Sequence, residues 1–414
     1  MTASGAPPIY AVLPFVVMLL VIAVGPRWLP QWWDSNLNKL LVAAALGAPV
    51  LLMYLFRHPG ALLAMAEDYV SFVILLSGLY AIAGGIRLTG DLVATPLTNA
   101  TFLGLGSMLA SFIGTTGASM LLIRPLLQTN RERRRVRHTV IFFIFLVSNV
   151  GGMLTPLGDP PLFLGYLQGV PFAWTFRLWP QWLFMTGVLL LVYVVWDTRA
   201  YRHESVADRR RDRTEIEPLR LQGGLNALAL GLVVLAVAVL QAPWREIAIV
   251  AVAGVSLWRT PASIRHANGV TASPMVEVAV LFFGLFLTMI PALELLRARG
   301  GELGVREPWQ FFWITGAVSS FLDNAPTYVT FLALAQGLRM PPEVAGVTHS
   351  ILAAISVGAV AMGANSYIGN APNFMVKSIA EEAKIPMPSF FGYMLYSGGV
   401  LVPLFIAATL IFFR

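Results

Sequence analysis

Long apolar runs dominate the hydrophobic pattern of the chain. A helix needs about 20 mostly apolar residues to cross the hydrocarbon core of a bilayer, and several runs approach or reach that length. Charged residues are rare within them, so the pattern predicts a helical protein that crosses a membrane many times. The predicted spans are 9–26, 40–56, 69–88, 179–198, 223–241, 244–258, 274–294 and 389–411.

Four further apolar segments are interrupted by small and polar residues. The segments at about 97–127 and 307–337 are too short for two crossings, which need about 40 residues plus a turn, and each is predicted to form a re-entrant hairpin. The segments at about 138–170 and 346–383 carry glycine and proline near their middle, so we expect a helix that breaks and resumes. The fold class predicted is all-α and polytopic, with about ten transmembrane helices, two opposed hairpins and two broken helices.

Arginine-rich loops indicate which helix ends face the cytoplasm. Loop 128–138 holds five arginines against one glutamate, and loop 199–220 holds seven arginines. Cytoplasmic loops of membrane proteins carry an excess of Lys and Arg. Both loops are therefore predicted to be cytoplasmic, and both termini then lie outside.

Internal similarity relates the first half of the chain to the second. Residues 111–112 align with 320–321 in the hairpins, and 157–163 align with 368–374 in the broken helices. Each half holds an odd number of complete crossings, so the second repeat should be inverted, which places a binding site near the membrane midplane. The predicted divisions are a first repeat at 1–198, a cytoplasmic linker at 199–222 and a second repeat at 223–414.

Composition agrees with this architecture and excludes several classes of function. Hydrophobic residues make up 57% of the chain and charged residues 12%, against about 25% charged in soluble domains. The net charge of +7 comes mainly from loop arginines, so we expect no nucleic-acid partner. Cysteine is absent, and no phosphate-binding loop, nucleophile–base pair or paired-histidine motif occurs, so we expect neither an enzyme nor a cofactor beyond a transported or coupling ion.

Two aspartates are notable because charge is costly at membrane depth. Asp159 precedes two prolines at the break of the first broken helix, where a neutral Asn would cap the helix equally well. A charge there costs about 2.5–3.5 kcal/mol on insertion scales, which favours a cation or proton ligand over a simple N-cap. Asp323, at the tip of the second hairpin, has no cation nearby in sequence, and the same argument applies to it.

Neutral oxygens near these aspartates complete the candidate site. A hard cation such as Na⁺ prefers oxygen ligands, although polar side chains in membrane bundles also bridge helices. Arg124 is expected to anchor the cytoplasmic end of the first hairpin rather than to bind an anionic substrate. The candidate ion- or substrate-binding residues are Thr115, Thr116, Ser148, Asn149, Thr155, Asp159, Asp323, Asn324, Thr327, Asn365, Ser366, Asn370 and Asn373, of which Asn149, Asp159, Asp323 and Asn324 are the predicted Na⁺ ligands.

Four motifs resemble one branch of the ion-transporter superfamily. They are 111–125, 148–163, 321–327 and 367–377, and they are similar to the branch labelled citrate transporter or sodium:proton antiporter, which includes NhaD-like proteins. The resemblance covers about residue 70 to the C-terminus. It implies a scaffold domain, a moving transport domain, sodium coupling and a homodimer.

The chain also departs from the patterns of two subfamilies. Sodium/carboxylate symporters carry Ser-Asn-Thr in each half, whereas 148–150 reads Ser-Asn-Val and 365–367 reads Asn-Ser-Tyr. NhaD-type antiporters carry Asp-Asn in the first hairpin, where 114–115 reads Gly-Thr. Neither subfamily's residues therefore transfer completely.

Two transport mechanisms follow from these residues. The first is a Na⁺/H⁺ antiporter of the cell inner membrane, in which the two aspartates exchange protons for Na⁺ by alternating access of an elevator-like transport domain. The alternative is a Na⁺-coupled symporter of citrate-like or other small carboxylates, with helix N-termini holding the anion. A membrane subunit serving a separate ATPase ranks third, because loop 199–220 reads as a solvated linker.

Overall fold

The chain is almost entirely helical. The structure, a computed structural model, describes residues 6–214 and 217–414, and the strands in those ranges are β1 Arg87–Thr89 and β2 Arg220–Gln222. Short 3₁₀ turns lie at Ile9–Val12, Val150–Met153, Phe172–Leu178, Gly300–Leu303 and Gly363–Asn365. The α-helices are α1 Leu13–Trp28, α2 Pro30–Trp33, α3 Asn36–Arg57, α4 Pro59–Ala83, α5 Pro96–Ile113, α6 Thr115–Thr129, α7 Arg137–Leu146, α8 Pro160–Leu167, α9 Trp179–Arg202, α10 Val206–Thr214, α11 Leu225–Val239, α12 Trp244–Arg259, α13 Ala262–Ala267, α14 Ser273–Arg299, α15 Pro308–Ser319, α16 Asn324–Gln336, α17 His349–Met362, α18 Ala371–Glu382 and α19 Phe390–Phe412.

Seven helices in the described ranges are long and apolar enough to cross a membrane. They confirm the predicted all-α polytopic membrane protein. The predicted span 223–241 is shorter in the structure, where α11 has 15 residues, whereas the predicted span 244–258 agrees within one residue with α12, which has 16. Gly223, Gly224 and Pro243 bound these two helices, and glycine and proline are poor helix residues. The seven are Ile9–Pro26, Asn36–Arg57, Pro59–Ala83, Pro96–Ile113, Phe172–Arg202, Ser273–Leu303 and Phe390–Phe412.

Two helical hairpins lie where the sequence predicts them. In the first, Gly114 links α5 to α6 with φ of +82°, a backbone conformation that favours glycine, and the Thr115 N–H donates to the Gly158 carbonyl at 2.8 Å. In the second, the Asp323 carboxylate accepts the Ala325 N–H at 2.9 Å and caps α16. The first tip is therefore held by the break between α7 and α8, and the second tip is closed by its own aspartate.

Two broken helices lie at the centre of the molecule and follow one design. In α7–α8, the Thr155 hydroxyl accepts the Leu157 N–H at 3.1 Å; in α17–α18, the Ser366 hydroxyl accepts the Ile368 N–H at 3.2 Å. All residues of α7 except Arg137, and most of those of α17, are buried. The same side-chain device therefore satisfies freed backbone groups at both breaks, as non-helical backbone at membrane depth requires.

The linker between the halves is folded against the rest of the protein, which differs from the solvated linker that its charges suggested. α9 continues through Arg202, α10 follows it, and β2 pairs antiparallel with β1. The Asp212 carboxylate accepts the Ala94 N–H at 3.0 Å. These partners are more than a hundred residues away in sequence, so local charge could not reveal them.

A buried ion pair fixes the base of the first hairpin. Arg133 Nη1 donates to Asp197 Oδ2 at 3.0 Å, and His138 Nε2 lies 2.7 Å from Asp197 Oδ1. The side chains of Arg133 and Asp197 are only 3% and 0% exposed. Arg133, one of the arginines that indicated topology, is thus also a structural residue that joins the α6–α7 loop to α9.

Candidate functional site

The carboxylate of Asp159 lies at the centre of the candidate site. Asp159 occupies the N-cap position of α8, but its side chain makes no capping hydrogen bond. Instead Oδ1 accepts the Thr115 hydroxyl at 2.8 Å and the Asn370 amide at 3.0 Å, and Oδ2 accepts the Asn324 amide at 2.6 Å. The residue is 1% exposed. The simple N-cap interpretation therefore does not describe this side chain.

These contacts bring both hairpin tips and both helix breaks together. Thr115 begins α6 and Asn324 begins α16, while Asp159 and Asn370 stand at the N-caps of α8 and α18. Four helix N-termini thus point at one small region, and each carries a partial positive charge that favours a negative group. The Asp159 carboxylate, which accepts hydrogen bonds from neutral donors, is the negative group at this position.

Asp159 and Asn370 occupy equivalent positions in the two repeats. Their backbone angles are nearly identical, with φ and ψ of −148° and 142° for Asp159 and −149° and 139° for Asn370. The equivalent positions are therefore in direct contact, and one carries a carboxylate where the other carries an amide. Two carboxylates this close would repel each other.

A second polar pair lies beside the first. Asn149 Nδ2 donates to Asn373 Oδ1 at 2.7 Å and to the Ile144 carbonyl at 2.8 Å. Asn149 is fully buried, yet its Oδ1 has no hydrogen-bond partner in the described part of the chain. A buried oxygen without a donor is unusual and is suited to a cation.

Asp323 lies next to this group but makes different contacts. Its Oδ1 caps α16, and its backbone carbonyl accepts the Thr327 hydroxyl at 2.8 Å. Asp323 is half-buried and lines a cavity, whereas Asp159 is enclosed behind it. The two aspartates therefore lie in one region, with Asp159 enclosed and Asp323 facing the cavity.

The cavity that reaches this region has a volume of about 530 Å³. Its charged lining residues are Arg124, Glu277, Asp323 and Glu382. Arg124 Nη1 donates to the Asn268 carbonyl at 3.2 Å, and no carboxylate lies within 4 Å of Arg124 among residues 6–214 and 217–414. The Glu277 carboxylate pairs with Lys39 at 2.7 Å. Arg124 and Glu382 also line an adjoining basic cavity of about 870 Å³ at the loop that follows α6.

A comparison with known protein families gives this arrangement a context. The family described as "Putative citrate transport" matches residues 4–413, nearly the whole chain. The chain belongs to this family. No curated protein matches it. Family membership and the apolar helices together identify a secondary transporter of a membrane, while the NhaD-like assignment stays a prediction.

Within this family member, the other candidate residues fall into two groups. Some lie around Asp159: the Ser148 carbonyl accepts the Asn370 amide at 3.1 Å, and Thr116 lines the cavity. The rest contact hairpin backbone or hydroxyl groups and lie outside the carboxylate's hydrogen-bond shell; they are Thr155 with the Ser111 carbonyl, Thr327 with Asp323, Asn365 with the Ser320 hydroxyl at 2.9 Å, and Ser366 with the Ser320 carbonyl.

The sequence favoured Arg124 as an anchor of the first hairpin over a role in binding an anion, whereas the structure places it at the cavity of this transporter. Arg124 follows Thr115 by nine positions, and at about 100° per residue the two lie on opposite faces of an ideal helix. Both nevertheless line the same cavity, because it extends around α6. Only the packing of α6 against α4, α5 and α18 places Arg124 there.

Proposed function

We propose that the protein is a Na⁺/H⁺ antiporter in which Asp159 binds Na⁺ and H⁺ in turn. The observation that supports this proposal is the environment of its carboxylate. Its three partners are neutral, and no Lys, Arg or His nitrogen lies within 4.0 Å of it in the described ranges. An ionised carboxylate that is buried without a cationic side chain beside it is a binding site for a proton or a cation. Competition between the two for one carboxylate is the basis of exchange.

The Na⁺ ligands in this proposal come from both repeats. Asp159 and Asp323 supply charge, and Asn149 and Asn324 supply amide oxygens. In the structure the Asn324 amide nitrogen faces Asp159; in the Na⁺-loaded state of this proposal, rotation of that amide turns its oxygen toward Na⁺. The free Oδ1 of Asn149 is already available as an oxygen ligand. The hairpins and broken helices then move past α3, α4, α12 and α14 to expose the site on alternate sides.

Transport in proteoliposomes tests this function. With a pH dye inside and Na⁺ added outside, the wild-type protein should drive proton efflux without any organic anion. Asp159→Asn should abolish this efflux, and Asp323→Asn should reduce it strongly. Glu302→Gln is a matched control, because Glu302 is exposed and, among residues 6–214 and 217–414, forms an ion pair only with Arg299, at 2.8 Å. A full Na⁺-driven signal in folded Asp159→Asn would contradict the proposal.

Na⁺-coupled carboxylate symport is the second candidate. Two observations favour it, namely the family description and the Arg124 guanidinium, which faces the cavity and has no carboxylate partner among the described residues. In this case Na⁺ held by the aspartates and Arg124 together attract a small polycarboxylate. The expected result is Na⁺-dependent accumulation of labelled citrate or succinate with a silent pH dye. Arg124→Gln should raise the KM for that anion about tenfold or more, yet should leave Na⁺/H⁺ exchange in the first candidate intact.

The membrane in which the transporter lies, its oligomeric state and its partners are also proposals. We place it in the inner cell membrane as a homodimer, with the lipid bilayer, Na⁺ and H⁺ as its partners. The dimer rests on the resemblance to the superfamily. Native mass measurement of the detergent-solubilised protein tests it, and a stable monomer would contradict it.

A further inference from the structure

The short helix α8 connects the candidate site to a polar cluster at its other end. Asp159 stands at its N-cap, and Gln168 stands at its C-cap. Nine residues separate them, which is about 13 Å along a helix. Movement at one end of such a short helix is therefore transmitted to the other.

The side-chain amide of Gln168 joins α8 to two long helices at once. Its Nε2 donates to Asp68 Oδ2 on α4 at 3.0 Å, and its Oε1 accepts Arg297 Nη2 on α14 at 2.8 Å. Arg297 also donates from Nε to Gln336 Oε1 at 2.8 Å, at the end of α16. The N-terminal ends of α8 and α16 form the candidate site, and their C-terminal ends both contact Arg297.

This cluster lies at the opposite end of the molecule from the open cavity. Glu277 on α14 lines the cavity, and Arg297 follows it by 20 residues, about 30 Å along the helix. Near Arg297 the backbones are in direct contact, because an ideal Cβ on Gly337 would lie 2.3 Å from the Leu296 carbonyl oxygen. Between α14 and the end of α16 this end is therefore closed, whereas the other end is open.

We propose that Gln168 is a positioning residue that holds the transport elements in the conformation with the cavity open toward the arginine-rich loops. Opening the opposite end separates α8 from α4 and α14 and breaks both Gln168 hydrogen bonds. Loss of the amide therefore shifts the population toward the conformation that is open at the Gln168 end. The inference goes beyond the proposed function, because it does not depend on which ion or anion is carried.

Cysteine labelling tests this inference without any transport measurement. The chain has no cysteine, so Thr116→Cys at the tip of the first hairpin is a single reporter. A membrane-impermeant maleimide is added from the side on which Gln168 lies. Gln168→Ala should raise the labelling rate about tenfold over the Thr116→Cys parent, since two hydrogen bonds that stabilise the original state are lost.

Gln241→Ala is the matched control. Gln241 lines the same polar pocket as Asp68, but its side chain makes no hydrogen bond in the described part of the chain. Its labelling rate should equal that of the parent. Equal labelling of the parent and Gln168→Ala, or an equal rise in Gln241→Ala, overturns the proposal.

A second variant covers the case in which Gln168→Ala does not fold. Arg297→Lys keeps the charge, but a single ammonium cannot replace the two separate guanidinium contacts to Gln168 and Gln336. It should raise labelling in the same direction. Failure of the antiporter assay would leave these labelling results unchanged, so the two proposals are tested separately.

Discussion

The contact between Asp159 and Asn370 determines how charge is distributed at the site. The two residues are equivalent in the repeats and share one backbone conformation, and the Asn370 amide donates to the Asp159 carboxylate at 3.0 Å. A carboxylate at both positions would create repulsion, and an amide at both would leave no charge. The pair therefore works with one acid and one amide.

Exchanging these two residues tests whether the charge or its exact position matters. Asp159→Asn should be inactive. The double variant Asp159→Asn with Asn370→Asp should have an initial rate of ion flux at least about tenfold higher than that of Asp159→Asn, because the carboxylate moves only across the contact. Asn370→Asp alone should lose most activity, since two adjacent carboxylates must then be neutralised. A folded double variant as inactive as Asp159→Asn would show that the Thr115 and Asn324 contacts to position 159 are indispensable.

The ion pair of Arg133 with Asp197 should contribute strongly to stability. Both side chains are buried, so Asp197→Asn leaves an uncompensated arginine and should cost about 3–5 kcal/mol. Thermal unfolding in detergent measures the effect. Glu302→Gln removes an exposed pair with Arg299 and should change stability by less than about 0.5 kcal/mol. Equal unfolding temperatures for the two variants would contradict this assignment.

At the scale of elements, close backbone contacts between glycines hold the helix breaks. An ideal Cβ on Gly158 would lie 2.2 Å from the Gly152 carbonyl oxygen, and one on Gly369 would lie 2.6 Å from the Gly363 carbonyl oxygen. Real Cβ atoms do not approach backbone oxygens so closely. Each break therefore requires glycine, whose side chain is a single hydrogen atom, at Gly158 and Gly369.

Gly158→Ala should consequently distort the site as well as destabilise the fold. We expect a loss of about 1–3 kcal/mol from overpacking, with ion flux reduced more than stability, because the Gly158 carbonyl holds the Thr115 N–H. Gly187→Ala in α9 is the control, since no atom of the described part of the chain lies within 4 Å of its added Cβ. Unfolding temperature and flux are measured on both, and wild-type behaviour of Gly158→Ala would show that the break can relax.

The elements were predictable where one local pattern decides them. Glycine and proline interrupt the apolar runs at both helix breaks. Small and polar residues likewise interrupt the first hairpin, which is predicted at 97–127 and is found as α5 and α6 across 96–129. Alignment of the repeats also placed Asp159 opposite Asn370. The contacts of Arg124, Gln168 and Asp212 were not predictable, because their partners lie on helices distant in sequence and packing alone brings them together.

At the scale of the whole molecule, the cavity opens at one end only of the described structure. It opens at the end of α14 near Glu277, beside the basic cavity that Arg131 to Arg137 line, and it is closed near Arg297. If the arginine-rich loops are cytoplasmic, as the distribution of positive charge predicts, the described conformation is open to the cytoplasm. Orientation in the membrane therefore decides which conformation this is.

Two single cysteines test that orientation in the otherwise cysteine-free chain. Arg210 on α10 and Glu302 after α14 are both exposed and lie at opposite ends of the molecule. In intact cells an impermeant maleimide should label Glu302→Cys and should label Arg210→Cys only after permeabilisation. Because α14 crosses the membrane between the cavity and Arg297, the opposite labelling pattern would invert the orientation. The open cavity would then face outside, and Gln168 would hold the outward-open conformation instead.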